Sequence, residues 1–135
     1  MLKSNKLYIF IIGVLASIFL LYGCSPNAAS ASASTAVEEY LQALVAKDIN
    51  KMTNLSCAAW EPQAKVEFDS FAAVKLNLKD LACKDVGKEG DASLVSCSGS
   101  IIASYGNEDL PIDIASQTYK VTQEGGEWRI CGYQK

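Results

Sequence analysis

The chain has 135 residues with 12 lysines and arginines, 15 aspartates and glutamates, no histidine and a formal net charge of −3. Its length suffices for one domain, and its acidic balance argues against a nucleic-acid partner, because phosphates require a concentration of Lys and Arg. The lack of histidine removes the commonest general base, the usual serine–histidine nucleophile pair and the commonest metal ligand.

The amino terminus has the pattern of a secretory signal. Lys3 and Lys6 precede an uncharged, mostly apolar run at residues 7–21. A helix that crosses a bilayer needs about 20 apolar residues, so this shorter run fits the core of a cleaved signal better. Removal of residues 1–23 takes away two lysines and no acid, and leaves a mature chain with a net charge of −5.

A lipidation motif follows the apolar run. Leu21-Tyr22-Gly23-Cys24 resembles the lipobox of bacterial lipoproteins, with Leu three residues before the cysteine and a small residue just before it. Tyr22 departs from the pattern, in which small or β-branched residues are usual. The resemblance implies a diacylglycerol on Cys24, cleavage before it and often acylation of the new amino terminus, with palmitate as an expected acyl chain. An uncleaved signal anchor is the alternative.

Lipidation predicts where the protein lies. Two or more acyl chains attach a protein stably to a bilayer, so we expect it on the cell membrane, facing away from the cytoplasm. Residues 24–34 are small and polar with one proline, which is typical of a flexible tether. Residues 35–135 are expected to form a single domain.

The first half of this domain has helical periodicity. Thr35 and Glu38 form a capping-box pattern, and Asp48 is suited to cap a second, short helix. Pro62 is suited to the first turn of a third helix at about residues 60–73. The residues that we expect on the buried faces of these helices are Val37, Tyr40, Leu41, Leu44, Val45, Ile49, Met52, Leu55, Trp60, Ala64, Phe68 and Phe71.

The second half has the period of strands. A first strand runs from Val74 to about Val86, and alternating residues from Val95 to Tyr105 predict a second strand with one buried face and one serine-rich face. The serine face is either a solvated surface or a surface that binds a partner. A third strand covers residues 110–121 and changes phase, which indicates a β-bulge near Ser116. The last strand covers residues 128–133. The order predicts an α+β fold with two to three N-terminal helices packed on a curved four-stranded antiparallel meander.

Five cysteines complete the pattern. Lipidation of Cys24 leaves Cys57, Cys83, Cys97 and Cys131, an even number that predicts two disulfides in an oxidising compartment. Cys83 and Cys97 flank the first hairpin, which favours the pairs Cys83–Cys97 and Cys57–Cys131, with the other two connectivities left open. No Cys-x-x-Cys occurs and the cysteines are dispersed, so neither thiol redox chemistry nor a metal site is expected.

The domain as a whole resembles a known fold. Residues 36–44, with Lys47-Asp48-Ile49 after them, and the closing residues 126–132 are similar to segments of nuclear-transport-factor-2-like domains, which have the cystatin-like cone fold. The resemblance covers most of residues 35–134. It implies a sheet curled around the helices, with a pocket inside. Members of that family include enzymes, ligand binders and small lipoproteins.

Aromatic residues are the candidates for lining such a pocket, although they are equally suited to filling a core. They are Tyr40, Trp60, Phe68, Phe71, Tyr105, Tyr119 and Trp128. Asp113 is expected to face water, and we predict no catalytic residue and no cofactor. The leading hypothesis is a membrane-tethered module that binds a small ligand or an envelope protein. The alternatives are a structural envelope lipoprotein without a ligand and, less favoured, an exported hydrolase or isomerase. A buried acid with a raised pKa inside a cavity would favour the enzyme.

Overall fold

The computed structural model describes residues 30–135. The predicted signal sequence, Cys24 and the first part of the tether lie outside these residues. Three helices precede five strands, and the elements are α1 (Ala33–Ala46), α2 (Ile49–Asn54), α3 (Glu61–Ser70), β1 (Lys75–Glu89), β2 (Ala92–Tyr105), β3 (Glu108–Asp113), β4 (Thr118–Glu124) and β5 (Glu127–Gln134). The predicted α+β class is confirmed, and the sheet has five strands instead of four.

Helix α1 begins earlier than the capping-box pattern predicts. Its N-cap is Ser32, whose side-chain oxygen accepts a hydrogen bond from the backbone N–H of Thr35 at 3.1 Å. The prediction that Glu38 completes a capping box with Thr35 is wrong. The Glu38 carboxylate instead accepts from the backbone N–H of Cys83 at 2.8 Å, which ties α1 to β1.

Two short helices follow α1 directly. Lys47 ends α1 in the left-handed conformation, with φ 61°, and Asp48 caps α2 as predicted by accepting from the backbone N–H of Lys51 at 3.0 Å. Helix α3 carries Pro62 in its first turn and is shorter at both ends than the predicted range. Lys47 Nζ also donates to the carbonyl oxygen of Phe71, just past the end of α3. This contact holds the ends of α1 and α3 together.

The predicted third strand is in fact two strands. Both β3 and β4 pair with β2, β3 along residues 100–105 and β4 along residues 93–96. The turn between them starts where the backbone N–H of Ala115 donates to Asp113 Oδ1 at 2.9 Å. The phase change near Ser116 therefore marks a break in the strand and not a bulge.

A real bulge lies in β1. The register with β2 shifts between Lys79 and Ala82, and Asp80 has φ 54°. Gly99 faces this bulge from β2 with φ 105°. A Cβ atom at Gly99 would lie 2.5 Å from the Lys79 carbonyl oxygen and 2.6 Å from that of Asp80. The bend in the β1–β2 ribbon thus requires glycine at position 99.

The core lies between α1 and the inner face of the sheet. The α1 residues Ala36, Val37, Tyr40 and Leu41 are at most 1% exposed. From the sheet come Val95, Cys97, Ile101, Ala103, Tyr119, Val121 and Ile130, each at most 4% exposed. The alternation predicted for β2 is therefore confirmed except at its end, where Tyr105 is 51% exposed.

Two disulfides link the elements, so the prediction of disulfides is confirmed. One joins Cys57 to Cys131 and the other joins Cys83 to Cys97, the pairing that the hairpin geometry favoured. Cys83 and Cys97 are direct cross-strand partners in β1 and β2. Beside the other bridge, the backbone N–H of Cys57 donates to the Ile130 carbonyl at 2.8 Å, so the segment after α2 extends the edge of β5.

Candidate functional site

One cavity lies between the helices and the sheet and has a volume of about 290 Å³. That is roughly the volume that ten water molecules occupy in the liquid, at the lower end of the range for small-molecule sites. Exposed residues of α3, among them Gln63, Val66 and Ser70, line its outer side. Its other lining residues are Leu41, Leu44, Glu67, Phe71, Ile101, Ile112, Ile114, Gln117, Tyr119 and Tyr133.

Glu67 is the one acidic residue in this lining, which contains no basic residue. Its Oε2 accepts a hydrogen bond from the hydroxyl of Tyr40 at 2.6 Å. Tyr40 is 0% exposed, so this contact joins α3 to the centre of the core beneath α1. Among residues 30–135, Tyr40 is the one hydrogen-bonding partner of the Glu67 carboxylate, so its second oxygen has no partner from the part of the chain that the structure describes.

The surroundings of Glu67 disfavour its charged form. Burial raises the pKa of the Glu67 carboxyl above its ordinary value, and the hydrogen bond from Tyr40 opposes this in part. Glu67 also lies in the last turn of α3, where the partial negative charge of the helix end disfavours an anion. An apolar residue at position 67 would allow the helix to pack without this cost of burying a carboxyl.

Two tyrosines share the lining with Glu67, and a tryptophan packs against one of them. Tyr119 and Tyr133 contact each other edge to face, with ring centroids 5.6 Å apart and planes at 61°. Trp60 packs against Tyr133 in the same way, at 5.6 Å and 73°. The pKa values of both tyrosines are raised, first by burial and second by the negative charge of Glu67. Both hydroxyls therefore remain protonated and act as neutral groups.

Trp60 and Tyr40 lie behind the wall of the cavity. Burial, followed by the charge of Glu67, raises the pKa of Tyr40, whereas the nearby indole N–H of Trp60 lowers it. That N–H does not reach hydrogen-bonding geometry with any group of residues 30–135, although it is buried. The Trp60 indole thus places an unused donor near the hydroxyl that holds Glu67.

The seven predicted pocket aromatics are dispersed over the domain. Phe71 and Tyr119 line the cavity directly, while Tyr40 and Trp60 lie behind its wall, in contact with Glu67 and Tyr133. The other three lie apart from the cavity: Phe68 is partly buried against the core, Tyr105 is half exposed at the end of β2, and Trp128 lines a separate groove.

That second groove lies where the tether enters the domain. It has a volume of about 490 Å³, and Ala31, Ser32, Asp85, Lys88 and Trp128 are among its lining residues. Its lining contains one acid, Asp85, and one base, Lys88. Apart from Trp128, the other lining residues are small. This groove offers no cluster of polar groups around a central residue, and it is the weaker candidate.

Sequence reasoning missed Glu67 and Tyr133. Glu67 stands three residues after Ala64 and four before Phe71, so it lies on the apolar stripe that predicted α3. The presence of an acid among these apolar positions was the feature of the sequence that could have identified Glu67. Tyr133 was assigned to the last strand, and its position beside Tyr119 depends on the β4–β5 register, in which the two residues are partners.

Metal binding finds no support within residues 30–135. The one group of potential ligands there consists of Cys57, Glu124 and Cys131. Because the two cysteines are joined as a disulfide, they offer no thiolate. Among the same residues, no helix has the length and apolar character needed to span a bilayer.

Comparison with known proteins yields likeness of fold alone. No protein-family model matches the sequence, and no curated protein matches it. Among solved structures, a SEC-C motif containing protein from Rhodopseudomonas palustris is similar with a TM-score of 0.55 and 11% identity, over 79% of this chain and 80% of the other. The helical cell shape determining protein Pgp2 from Campylobacter jejuni is similar with a TM-score of 0.50 and 13% identity, over 74% of this chain and 38% of the other.

Proposed function

We propose that this chain is a lipid-anchored, extracytoplasmic protein whose cone-like domain binds a small ligand in the cavity beside Glu67. The single observation that carries the ligand-binding part is the Glu67 carboxyl, which lies in a cavity with one oxygen held by Tyr40 and the other without a hydrogen-bonding partner in residues 30–135. A partly desolvated carboxyl without a charged partner costs stability. A ligand that pairs with it would offset this cost.

The proposed location rests on the lipobox-like residues ending at Cys24, and the disulfides are compatible with it. Two bridges in a domain of this size fit an oxidising compartment. The nuclear-transport-factor-2-like resemblance remains part of the proposal, as does the tethering of the domain close to the membrane.

Native mass spectrometry of the full chain, extracted from its own host in a mild detergent, tests ligand binding. We expect a small bound mass on the wild-type protein. Ile112 lines the cavity from β3, so Ile112→Trp should fill the space and remove that mass. Leu110→Trp is the matched control, because Leu110 is 55% exposed and two residues away on the same strand.

The same experiment separates the alternatives. Protein without a bound mass in all three forms would favour a structural role. Retention of the mass in Ile112→Trp would place the ligand elsewhere, with the groove beside Trp128 as the next site to block.

Catalysis is the second candidate, because an acid with a raised pKa inside a cavity is a typical general acid or base. Within the described lining, however, the other titratable groups are the two tyrosines, whose pKa values are raised by burial. Neither is suited to exchange a proton with Glu67 near neutral pH. Binding is therefore the better-supported function. Conversion of the bound compound on prolonged incubation with the wild type but not with Glu67→Gln would favour an enzyme.

A further inference from the structure

We infer that the Glu67 cavity selects a small organic cation, with an alkylammonium head against the carboxylate and the two tyrosine rings and an apolar body towards α1 and the inner face of the sheet. This inference rests on the proposed function and names its ligand class. The juxtaposition of Glu67, Tyr119 and Tyr133 in one lining carries it.

The charge of the lining is the first argument. Glu67 is its one ionisable acid, and none of its residues is basic. The ion pairs among residues 30–135 join Lys51 to Glu39, Lys120 to Glu89 and Arg129 to Glu127. None of these pairs includes Glu67. A ligand with a positive charge would supply the partner that the described part of the chain does not provide, and an anionic ligand would be repelled.

The aromatic walls are the second argument. The face of a tyrosine ring carries negative charge, and a cation near such faces is attracted most strongly where water is excluded. Tyr119 is 1% exposed, and its plane stands at 61° to that of Tyr133. The two rings contact each other edge to face and share one lining with the carboxylate, so they add aromatic surface beside the charge, which favours a methylated or primary ammonium group.

The hydrogen bonds are the third argument. Tyr119 donates its hydroxyl proton to Gln117 Oε1 at 3.0 Å, and Tyr40 donates its own to Glu67 Oε2. These two hydroxyls have thus already committed their donors. The second oxygen of Glu67 accepts no hydrogen bond from residues 30–135, and it is the one anionic acceptor of a lining whose other polar groups, among them the Tyr133 hydroxyl and the amides of Gln63 and Gln117, are neutral. A positively charged group is therefore the best complement to the polar part of the lining.

The apolar residues of the lining determine the size and polarity of the rest of the ligand. Leu41, Leu44, Ile101 and Ile114 are at most 4% exposed and enclose the inner side. A volume of about 290 Å³ admits a compact alkyl group and excludes a long chain. A small ammonium ion with a few carbon atoms fits both the charge and the space.

Three probes of the same shape and different charge provide the test. They are choline, its neutral carbon isostere 3,3-dimethylbutan-1-ol and the anion 3,3-dimethylbutanoate. Isothermal titration calorimetry uses the full chain in a sugar-headed, uncharged detergent. We expect choline to bind at least about ten-fold more tightly than either isostere, because the carboxylate contact is charge-assisted.

Variants assign that preference to Glu67 and the ring of Tyr133. Glu67→Gln should lose about ten-fold or more of the choline affinity, and Asp69→Asn should not, because Asp69 is exposed on the same helix and outside the lining. Tyr133→Phe keeps the ring and should retain binding, whereas Tyr133→Leu should weaken choline more than the alcohol. If Glu67→Gln does not fold, the comparison of Tyr133→Phe with Tyr133→Leu still tests the inference.

Equal or tighter binding of the alcohol or the carboxylate would overturn the cation inference and leave the ligand-binding function standing. Binding of none of the three probes would also overturn it. The mass bound to the protein from its host would then decide separately whether the cavity holds a ligand at all.

Discussion

The hydroxyl of Tyr40 donates a 2.6 Å hydrogen bond to Glu67 Oε2, across the boundary between α1 and α3. Tyr40 lies in the middle of the buried face of α1, and Glu67 lies one turn before the end of α3. This contact links the most buried tyrosine of the core to the one acid of the cavity. It makes the position of the carboxyl depend on the packing of α1.

Tyr40→Phe should therefore destabilise the domain and change the acidity of Glu67. The ring still fills its place, but Glu67 loses its hydrogen bond, which costs about 1–3 kcal/mol when the group left behind is buried. Because that bond lowers the pKa of Glu67, its loss should raise the pKa further. Urea denaturation measures the first effect and carboxyl-resolved NMR titration the second. An unchanged Glu67 titration would contradict the assigned contact.

The stability of the protein should depend on pH through Glu67. Burial raises the pKa of this carboxyl in the folded state, so the folded protein holds the proton more tightly than the unfolded chain. Its favourable contribution is complete below the unfolded-state pKa and is lost as the pH rises through the folded-state pKa. Glu67→Gln should accordingly gain stability relative to wild type as the pH goes from about 4 to about 7.

Denaturation curves at both pH values check this, with Asp69→Asn as a control for the loss of one charge from the same helix. A stability difference between Glu67→Gln and wild type that is the same at both pH values would show that Glu67 titrates as it does in the unfolded chain.

Gly99→Ala should be among the most damaging small substitutions in the sheet. The new Cβ would lie 2.5 Å from the Lys79 carbonyl oxygen, in a backbone with φ 105°, so β1 and β2 must separate at the bulge. We expect a loss of roughly 3 kcal/mol or more. Gly90→Ala is the control, because Gly90 also has a positive φ of 59° but nothing within 4 Å of the added atom. It should cost about 1 kcal/mol. Thermal unfolding of both variants gives the comparison, and equal losses would refute the close approach.

The two disulfides should differ in their contribution. They close loops with sequence separations of 74 and 14 residues. In the chain-entropy model these loops correspond to at most about 4.5 and about 3 kcal/mol. The pair Cys57→Ala, Cys131→Ala should therefore destabilise the domain more than Cys83→Ala, Cys97→Ala, as measured by denaturation under non-reducing conditions. The reverse order would show that the cross-strand bridge contributes more than loop closure.

Local signals in the sequence predicted the elements well, and long-range contacts account for what they missed. Asp48 was identified as a cap because the cap and its partner are three residues apart. Thr35 and Glu38 had the same spacing, but Ser32 provides the cap and Glu38 binds a backbone group in β1. The phase change before Tyr119 was visible, yet a bulge and a strand break produce the same pattern. The strand count was therefore one too low.

Prediction of the site from the sequence was limited in the same way, because long-range contacts bring its residues together. The fold resemblance implied a pocket, and the aromatic residues were candidates for its lining, but aromatic residues also fill cores. The decisive residue was an acid, Glu67, which is half-buried like Glu61 of the same helix but lines the cavity. Its place in the cavity depends on how α3 packs against the sheet, and the contact with Tyr40 joins residues 27 positions apart. A pairing over that distance has no signature in one sequence.

Cys24→Ala tests the predicted anchor. If Cys24 carries the lipid, the variant should leave the membrane fraction or accumulate as an unprocessed precursor, because removal of the thiol removes the attachment site. Cell fractionation with immunoblotting measures the location, and metabolic labelling with palmitate measures acylation.

Tyr22→Ala is the companion variant: it restores a small residue to the lipobox-like sequence and should be processed at least as fast as wild type. Normal processing and membrane retention of Cys24→Ala would instead point to an uncleaved signal anchor. The four cysteines of the domain would still pair, since both disulfides lie within residues 57–131.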